Sequence, residues 1–266
     1  MKHNLKFPGN YCGDGKVGKE HWLFAKNLVR ACKDFTVQEI RTSRAEWPTF
    51  YVNDKKCIFD YYDWDGLNPK AGEVDFCFKT QHTEKSKREN TASWSQISFM
   101  DFSRIPDVKY RAESDLILNN QRPYRNATER RKDVQSLLKK EYRNNVDITI
   151  HSQEKFYSLI NSCLTYIHVP GYTNNMIDRA HVQMFALGCC MITTHIPTLF
   201  PNDLRPISGT HYVQCADDYS DLCEKIEWIR NNKEEAIQIG RNAKELFNNS
   251  LTPDAFSKHL ITCLNL

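Results

Sequence analysis

The chain has 266 residues, 40% of them hydrophobic and 12% aromatic, a composition that fills globular cores and excludes intrinsic disorder. Its net charge of +3, with acids interspersed among the bases, lacks the basic excess of proteins that neutralise nucleic-acid phosphates. Met1-Lys2-His3-Asn4-Leu5-Lys6 is too polar for a signal peptide, and no run approaches the roughly 18 to 20 apolar residues of a membrane span, so a cytoplasmic protein without transmembrane segment or nucleic-acid partner is expected.

Along the chain, residues 18–32 form the first expected helix, with Trp22, Leu23, Ala25, Leu28, Val29 and Ala31 on its apolar face. Strand-like runs follow at 37–40, 49–52, 57–62, 74–78 and 97–102, and Asn53-Asp54 reads as a hairpin tip. After Pro106 strand and helix alternate: strand 115–119, helix 126–142, strand 146–150, helix 153–163 behind the N-cap Ser152, strand 164–169. Pro170-Gly171 ends that strand, helix 179–187 stops at Gly188, strands follow at 189–194 and 211–215, and helices at 220–231, 233–248 and 253–264 close the chain. Five strands alternating with helices predict a doubly wound parallel sheet, with a domain boundary at 104–114. The division adopted is an acceptor-side α/β domain at 1–110 and a nucleotide-binding domain at 111–266. Of the ten cysteines, Cys77, Cys163, Cys189 and Cys190 lie in apolar runs and no CxxC occurs, which reads as core thiols rather than a zinc site.

In an open parallel sheet, ligands bind where strands lead into helices. Two such loops are rich in functional groups. Residues 119–128 carry Arg122, Arg125 and the Thr128 hydroxyl at a helix start, a set suited to a diphosphate. Residues 170–179 bring Gly171, Asp178 and Arg179 to the next helix start, with Gln183 one turn along. Asp178 can equally serve as a plain N-cap there.

The run Val182-Gln183-Met184-Phe185-Ala186-Leu187-Gly188-Cys189-Cys190-Met191-Ile192-Thr193-Thr194 resembles the nucleotide-sugar domain of GT-B glycosyltransferases, with Gln183 in the place of the family's ribose-holding glutamate. A nearer resemblance is to the lipopolysaccharide-modifying and protein O-glucosyltransferase group, also called KDEL-type or capsule-associated. It rests on Arg125-Asn126-Ala127-Thr128-Glu129-Arg130-Arg131, His211-Tyr212-Val213, Asp217-Asp218-Tyr219-Ser220-Asp221-Leu222, Ile226-Glu227-Trp228 and Ile239-Gly240-Arg241-Asn242-Ala243. The resemblance implies a GT-B-like α/β fold of two Rossmann-like domains facing a cleft, the C-terminal one a doubly wound parallel sheet. It further implies transfer of a hexose or pentose from a nucleotide sugar, expected to be a UDP-sugar, to a hydroxyl of a glycan or other acceptor, by inversion, with neither metal nor further cofactor. Donor contacts would come from Arg122, Arg125, Thr128, Gly171, Asp178, Arg179 and Gln183.

In that group the catalytic base is an aspartate in a short Asn-Thr-Arg-Asp segment after a strand, where this chain has Lys79-Thr80-Gln81-His82. His82 is therefore the expected base and Asp65 the alternative. Asp63-Trp64-Asp65 also matches the metal signature of the other large glycosyltransferase fold, GT-A, although that fold places its nucleotide-binding sheet before the motif and here it follows. A dehydrogenase is set aside because Gly13-Asp14-Gly15-Lys16-Val17-Gly18 has no apolar strand expected before it. A non-catalytic carbohydrate-binding protein and an interaction protein that has lost its donor site are the remaining alternatives.

Overall fold

The computed structural model describes residues 2–13, 16–44, 48–61, 66–123, 125–171 and 176–266. They form two compact units, Met1–Ser103 with Thr198–Arg205 and Asn248–Leu266, and Arg104–Pro197 with Pro206–Phe247. After one passage near residue 104, the chain thus returns twice to its first unit.

The first unit opens with β1 (His3–Pro8), α1 (Lys16–Ala31), β2 (Phe35–Ile40), β3 (Thr49–Val52), β4 (Lys55–Asp60), β5 (Phe76–Lys79) and β6 (Thr91–Ser93). Its sheet runs β2-β1-β3-β4-β5-β6. Strand β3 is antiparallel to both neighbours, and the other pairs are parallel. Asn53, with φ of 49°, makes the predicted hairpin tip between β3 and β4. Sequence reasoning missed β1, whose buried Leu5 and Phe7 alternate with exposed Asn4 and Lys6, the period-2 pattern of a half-buried strand. The run 97–102, expected as a strand, instead forms 3-10 turns at Gln96–Phe99 and Phe102–Arg104, because the Ser95 side chain accepts from the Ile97 amide and starts a turn.

The second unit contributes β7 (Ile117–Leu118), α2 (Thr128–Glu141), β8 (Val146–Asp147), α3 (Gln153–Ser162), β9 (Thr165–Ile167), α4 (Arg179–Leu187), β10 (Met191–Thr193), β11 (Val213–Gln214), α5 (Leu222–Asn231) and most of α6 (Lys233–Ser250). All five strands pair in parallel, in the order β11-β10-β9-β7-β8. Gly188 ends α4 in the left-handed region at φ 67°, and a Cβ on Gly240 of α6 would strike the Gly188 carbonyl, so two glycines let these helices approach.

The last helix, α7 (Pro253–Leu264), belongs to the first unit. Its Phe256 ring lies 4.7 Å from Trp94, which also meets Phe59 at 4.4 Å and Phe50 at 5.6 Å. His259 Nε2 pairs with the Ser93 carbonyl at 2.9 Å while its Nδ1 accepts the Asn202 amide at 3.0 Å, which fixes a neutral ring. Burial first of all holds His259 down to about 4.

Candidate functional site

In chain order the second sheet reads 5-4-3-1-2, so its connections reverse direction between β7 and β9. That reversal is the topological switch point at which open α/β sheets bind ligands, beyond the carboxyl ends of the strands. The loops leaving β7 and β9 are the two singled out from sequence, and the parallel pairing of these strands brings both to the same edge.

The loops are braced by polar side chains that prolong the sheet. The Gln121 carboxamide accepts the Val169 amide at 2.6 Å and donates to the Val169 carbonyl at 3.1 Å, imitating one more strand residue. Asn119 donates to Ile167 O, and Gln135 of α2 donates to Asn119 Oδ1 at 3.0 Å and Gln121 O at 2.8 Å. Arg131 joins the loops outright: its buried guanidinium donates to Val169 O at 2.8 and 3.1 Å and to Arg122 O at 2.7 Å. Burial lowers the Arg131 pKa, with Asp178 acting in the opposite sense. Arg130 donates to Pro170 O at 3.1 Å, and its Nε is buried without a partner among the described residues. A Cβ on Gly171 would come within 3.3 Å of Arg131 Nη2 and 3.8 Å of Asp178 Oδ2, so glycine lets cation and carboxylate close in on the turn.

The two helix starts differ. Helix α2 follows Ala127 with no side-chain cap, behind a 3-10 turn at Arg125–Ala127. Thr128, its first residue, is half-buried, and Arg122 on the preceding loop is exposed. Helix α4 is capped by Asp178, which accepts the Ala180 amide at 3.0 Å and the His181 amide at 3.5 Å, while its other oxygen accepts the Gly171 amide at 3.3 Å. The N-cap alternative for Asp178 is thus realised. Arg179 is the exposed first residue of α4. Gln183 is half-buried and donates to the Tyr157 hydroxyl at 3.4 Å, which also takes Gln153 at 2.6 Å.

Beneath the Asp178 cap lie His168, His181 and Thr193, which spacing in the sequence did not reveal. His168 Nε2 is 2.9 Å from Asp178 Oδ1, and Thr193 Oγ1 is 3.3 Å from His168 Nδ1 and 3.4 Å from His181 Nε2. Burial pushes His168 down to about 4 in spite of the adjacent carboxylate. Burial also works against the Asp178 charge, but the carboxyl is held well below its usual range, with His168 the foremost of the groups that lower it. His168, Asp178 and His181 each offer one ligand atom within 4.8 Å of the others, a two-histidine, one-carboxylate set that could hold a transition metal.

In the first unit, Asp60 and Lys79 end adjacent parallel strands and pair at 3.5 Å, both fully buried. Asp60 also accepts the Asn68 amide at 2.9 Å. His82, three residues past β5, is 0% exposed. Ser86 Oγ lies 3.2 Å from its Nδ1, its Nε2 has no partner among the described residues, and burial lowers it to about 4. The imidazole is closed off from solvent in this conformation, so service as a base would require it to open to the acceptor. Asp63 and Asp65 lie outside the described residues. A strand, β1, does precede the glycine pattern at 13–18, contrary to expectation, and Gly18 lies within α1. However, the Tyr11 hydroxyl occupies the space against Gly18. Glu39, placed on β2 where a dinucleotide site keeps its ribose acid, is held by Lys26 at 3.3 Å and by Arg30.

No protein-family model matches the chain. The chain has the GT-B-like α/β fold. It superposes on TarM with a TM-score of 0.51 at 12% identity, over 92% of this chain and 58% of that one. It superposes on HepE from Anabaena in complex with UDP with a TM-score of 0.50 at 10% identity, covering 91% of this chain and 76% of HepE. The HepE complex with UDP and glucose gives 0.50 at 10% identity, covering 94% and 83%. In sequence, the chain is similar to the uncharacterized protein 179R of Invertebrate iridescent virus 6, at 27% identity over 122 residues, 42% of this chain and 9% of the viral protein. The chain therefore spans little more than half of TarM and a small part of 179R. Among the described residues no helix is long and apolar enough to cross a membrane.

Proposed function

We propose that the chain is a glycosyltransferase that holds the diphosphate of a nucleotide sugar, a UDP-sugar first of all, at the start of α2 and transfers its sugar to a hydroxyl of a glycan or other acceptor. The observation that carries this reading is the switch-point edge, where the uncapped first turn of α2, with Arg130 and Arg131, follows a segment bearing Arg122 and Arg125 and neighbours the α4 start at Arg179. The orphaned Arg130 Nε belongs to that edge, and buried donors left unpaired mark places where a ligand completes the hydrogen bonding. HepE, of like fold, binds UDP, which supports the choice of donor.

In the reaction the acceptor oxygen attacks the anomeric carbon from the face opposite the diphosphate, inverting it. The bond to the β-phosphate oxygen breaks and UDP leaves with the electron pair, its charge met by arginines and helix amides without a metal. The acceptor proton goes to a base. With His82 enclosed, Asp65 is the base we propose, and kinship to the O-glucosyltransferase group remains part of the reading. Thermal shifts with UDP, GDP, CDP and UMP test the nucleotide, since a ligand at 100 times its Kd stabilises by about 2.7 kcal/mol. UDP-glucose and UDP-xylose then test the sugar by release of UDP, in EDTA as well as without it. Activity lost on chelation and restored by manganese would favour Asp63 and Asp65 as metal ligands, and no nucleotide response at all would reject the reading.

A further inference from the structure

Resting on the reading of this edge as a donor site, we infer that Asp178, His181, Thr193 and His168 form one closed ring of directed hydrogen bonds that positions the Gly171 turn against the start of α4. The direction of every bond follows from one fixed point. A backbone amide can only donate, so His181 Nδ1, 3.1 Å from the Asp178 nitrogen, is the acceptor. The His181 proton is then on Nε2, which donates to Thr193 Oγ1 at 3.4 Å. Thr193 in turn donates to His168 Nδ1 at 3.3 Å. That leaves the His168 proton on Nε2, and this N–H donates to Asp178 Oδ1 at 2.9 Å. The circuit runs from the amide of Asp178 to its own carboxylate, with each donor matched to one acceptor and both imidazoles neutral.

His168 and Thr193 are 0% exposed and His181 1%, so water does not compete for these bonds. The ring fixes its surroundings on two sides. Asp178 Oδ2 accepts the Gly171 amide, and the Tyr219 hydroxyl donates to the His168 carbonyl at 2.7 Å. These are positioning residues, acting on a donor through the loop they hold. The same three ligand groups could hold a metal only with a lone pair on His168 Nε2, hence with its proton on Nδ1, so the ring and a metal centre require opposite tautomers of His168.

Long-range 1H–15N NMR of the whole chain at pH 7 reads the tautomers, and the ring requires both His168 and His181 to be neutral with the proton on Nε2. A calorimetric UDP titration reads the positioning. His181→Gln keeps one acceptor and one donor, whereas His181→Leu keeps neither. The expected result is a loss of about tenfold or more in UDP affinity for the leucine variant, with glutamine within about threefold of the native chain. Should the leucine variant not fold, Thr193→Val against Thr193→Ser makes the same comparison. A proton on His168 Nδ1 overturns the proposal, as do folded leucine and glutamine variants that bind UDP alike. A native chain that shows both Nε2 protons but binds no UDP defeats the donor-site reading and leaves the ring standing.

Discussion

The starts of α2 and α4 lie at the same edge of one sheet and are finished in opposite ways. Helix α4 brings its own anion, because the Asp178 carboxylate takes the Ala180 and His181 amides. Helix α2 follows Ala127 without a side-chain cap, next to a loop carrying Arg122 and joined to its neighbour by Arg131. A helix start carries roughly half a positive charge. At α4 a carboxylate caps the helix directly, whereas at α2 the first-turn carboxylate, Glu129, pairs with Lys132 and the helix start has no side-chain cap. Two loops that look equally suited to phosphate by composition are therefore not equivalent, and the donor site we propose is the start of α2.

This arrangement is broken most directly at Arg131. Arg131→Leu leaves Arg122 O without its donor and Val169 O with Gln121 Nε2 alone, and should lower unfolding free energy by about 2 kcal/mol, from about 1 to 3 kcal/mol for the orphaned acceptor. Arg131→Lys should recover little, since an ammonium lacks the fork that spans both loops. Urea unfolding checks both, and a leucine variant as stable as the native chain would detach the loops from Arg131.

Acid should loosen the α4 start and spare α2, which contains no histidine. The unfolded chain protonates His168 below about 6.5, whereas in the fold burial delays this until about 4. Between those values the unfolded state binds more protons, so stability falls as pH falls, by about 3 kcal/mol for this group at pH 4. His82 and His259, also held near 4, add to the loss in the first unit. Urea midpoints at pH 7, 5.5 and 4.5, with hydrogen exchange at 178–182 read alongside, should show that decline; a flat profile contradicts buried neutral rings.

The arginines sharpen the comparison further. A hydrogen bond to a charged group contributes about 1.5 to 3 kcal/mol, so Arg125→Ala should weaken UDP binding roughly 10- to 150-fold, and Arg179→Ala, beside the capped start, by less than about tenfold. Equal losses would put both helix starts in the phosphate site. Asp178→Asn keeps the cap oxygen but sets an NH2 group against the Gly171 amide, so stability should fall by about 1 to 3 kcal/mol and UDP affinity should fall with the Gly171 turn. A large gain in UDP affinity would show that the carboxylate had been repelling phosphate from α4.

All five strands of the second sheet were legible because each is a short apolar run between a helix pattern and a turn. The two loops were legible for the same reason, since a parallel sheet puts every strand-to-helix loop at one edge. Strand β1 was not, because two inward residues among polar neighbours make a weak signal beside a turn-rich opening. His168, His181 and Thr193 come from a strand end, a helix and the next strand, and only the parallel pairing of β9 with β10 brings them together. Arg131 lay inside a segment quoted for its resemblance, yet burial, which decides its role, has no sequence mark. His82 reads as a base by its place after β5, and its enclosure appears only with packing.

Hydrogen exchange of backbone amides with and without saturating UDP tests the central claim most directly, because the two helix starts report separately. Binding at α2 predicts that UDP slows exchange at residues 126–130 and leaves 180–183 unchanged. Protection confined to 180–183 would contradict it and return the diphosphate to α4.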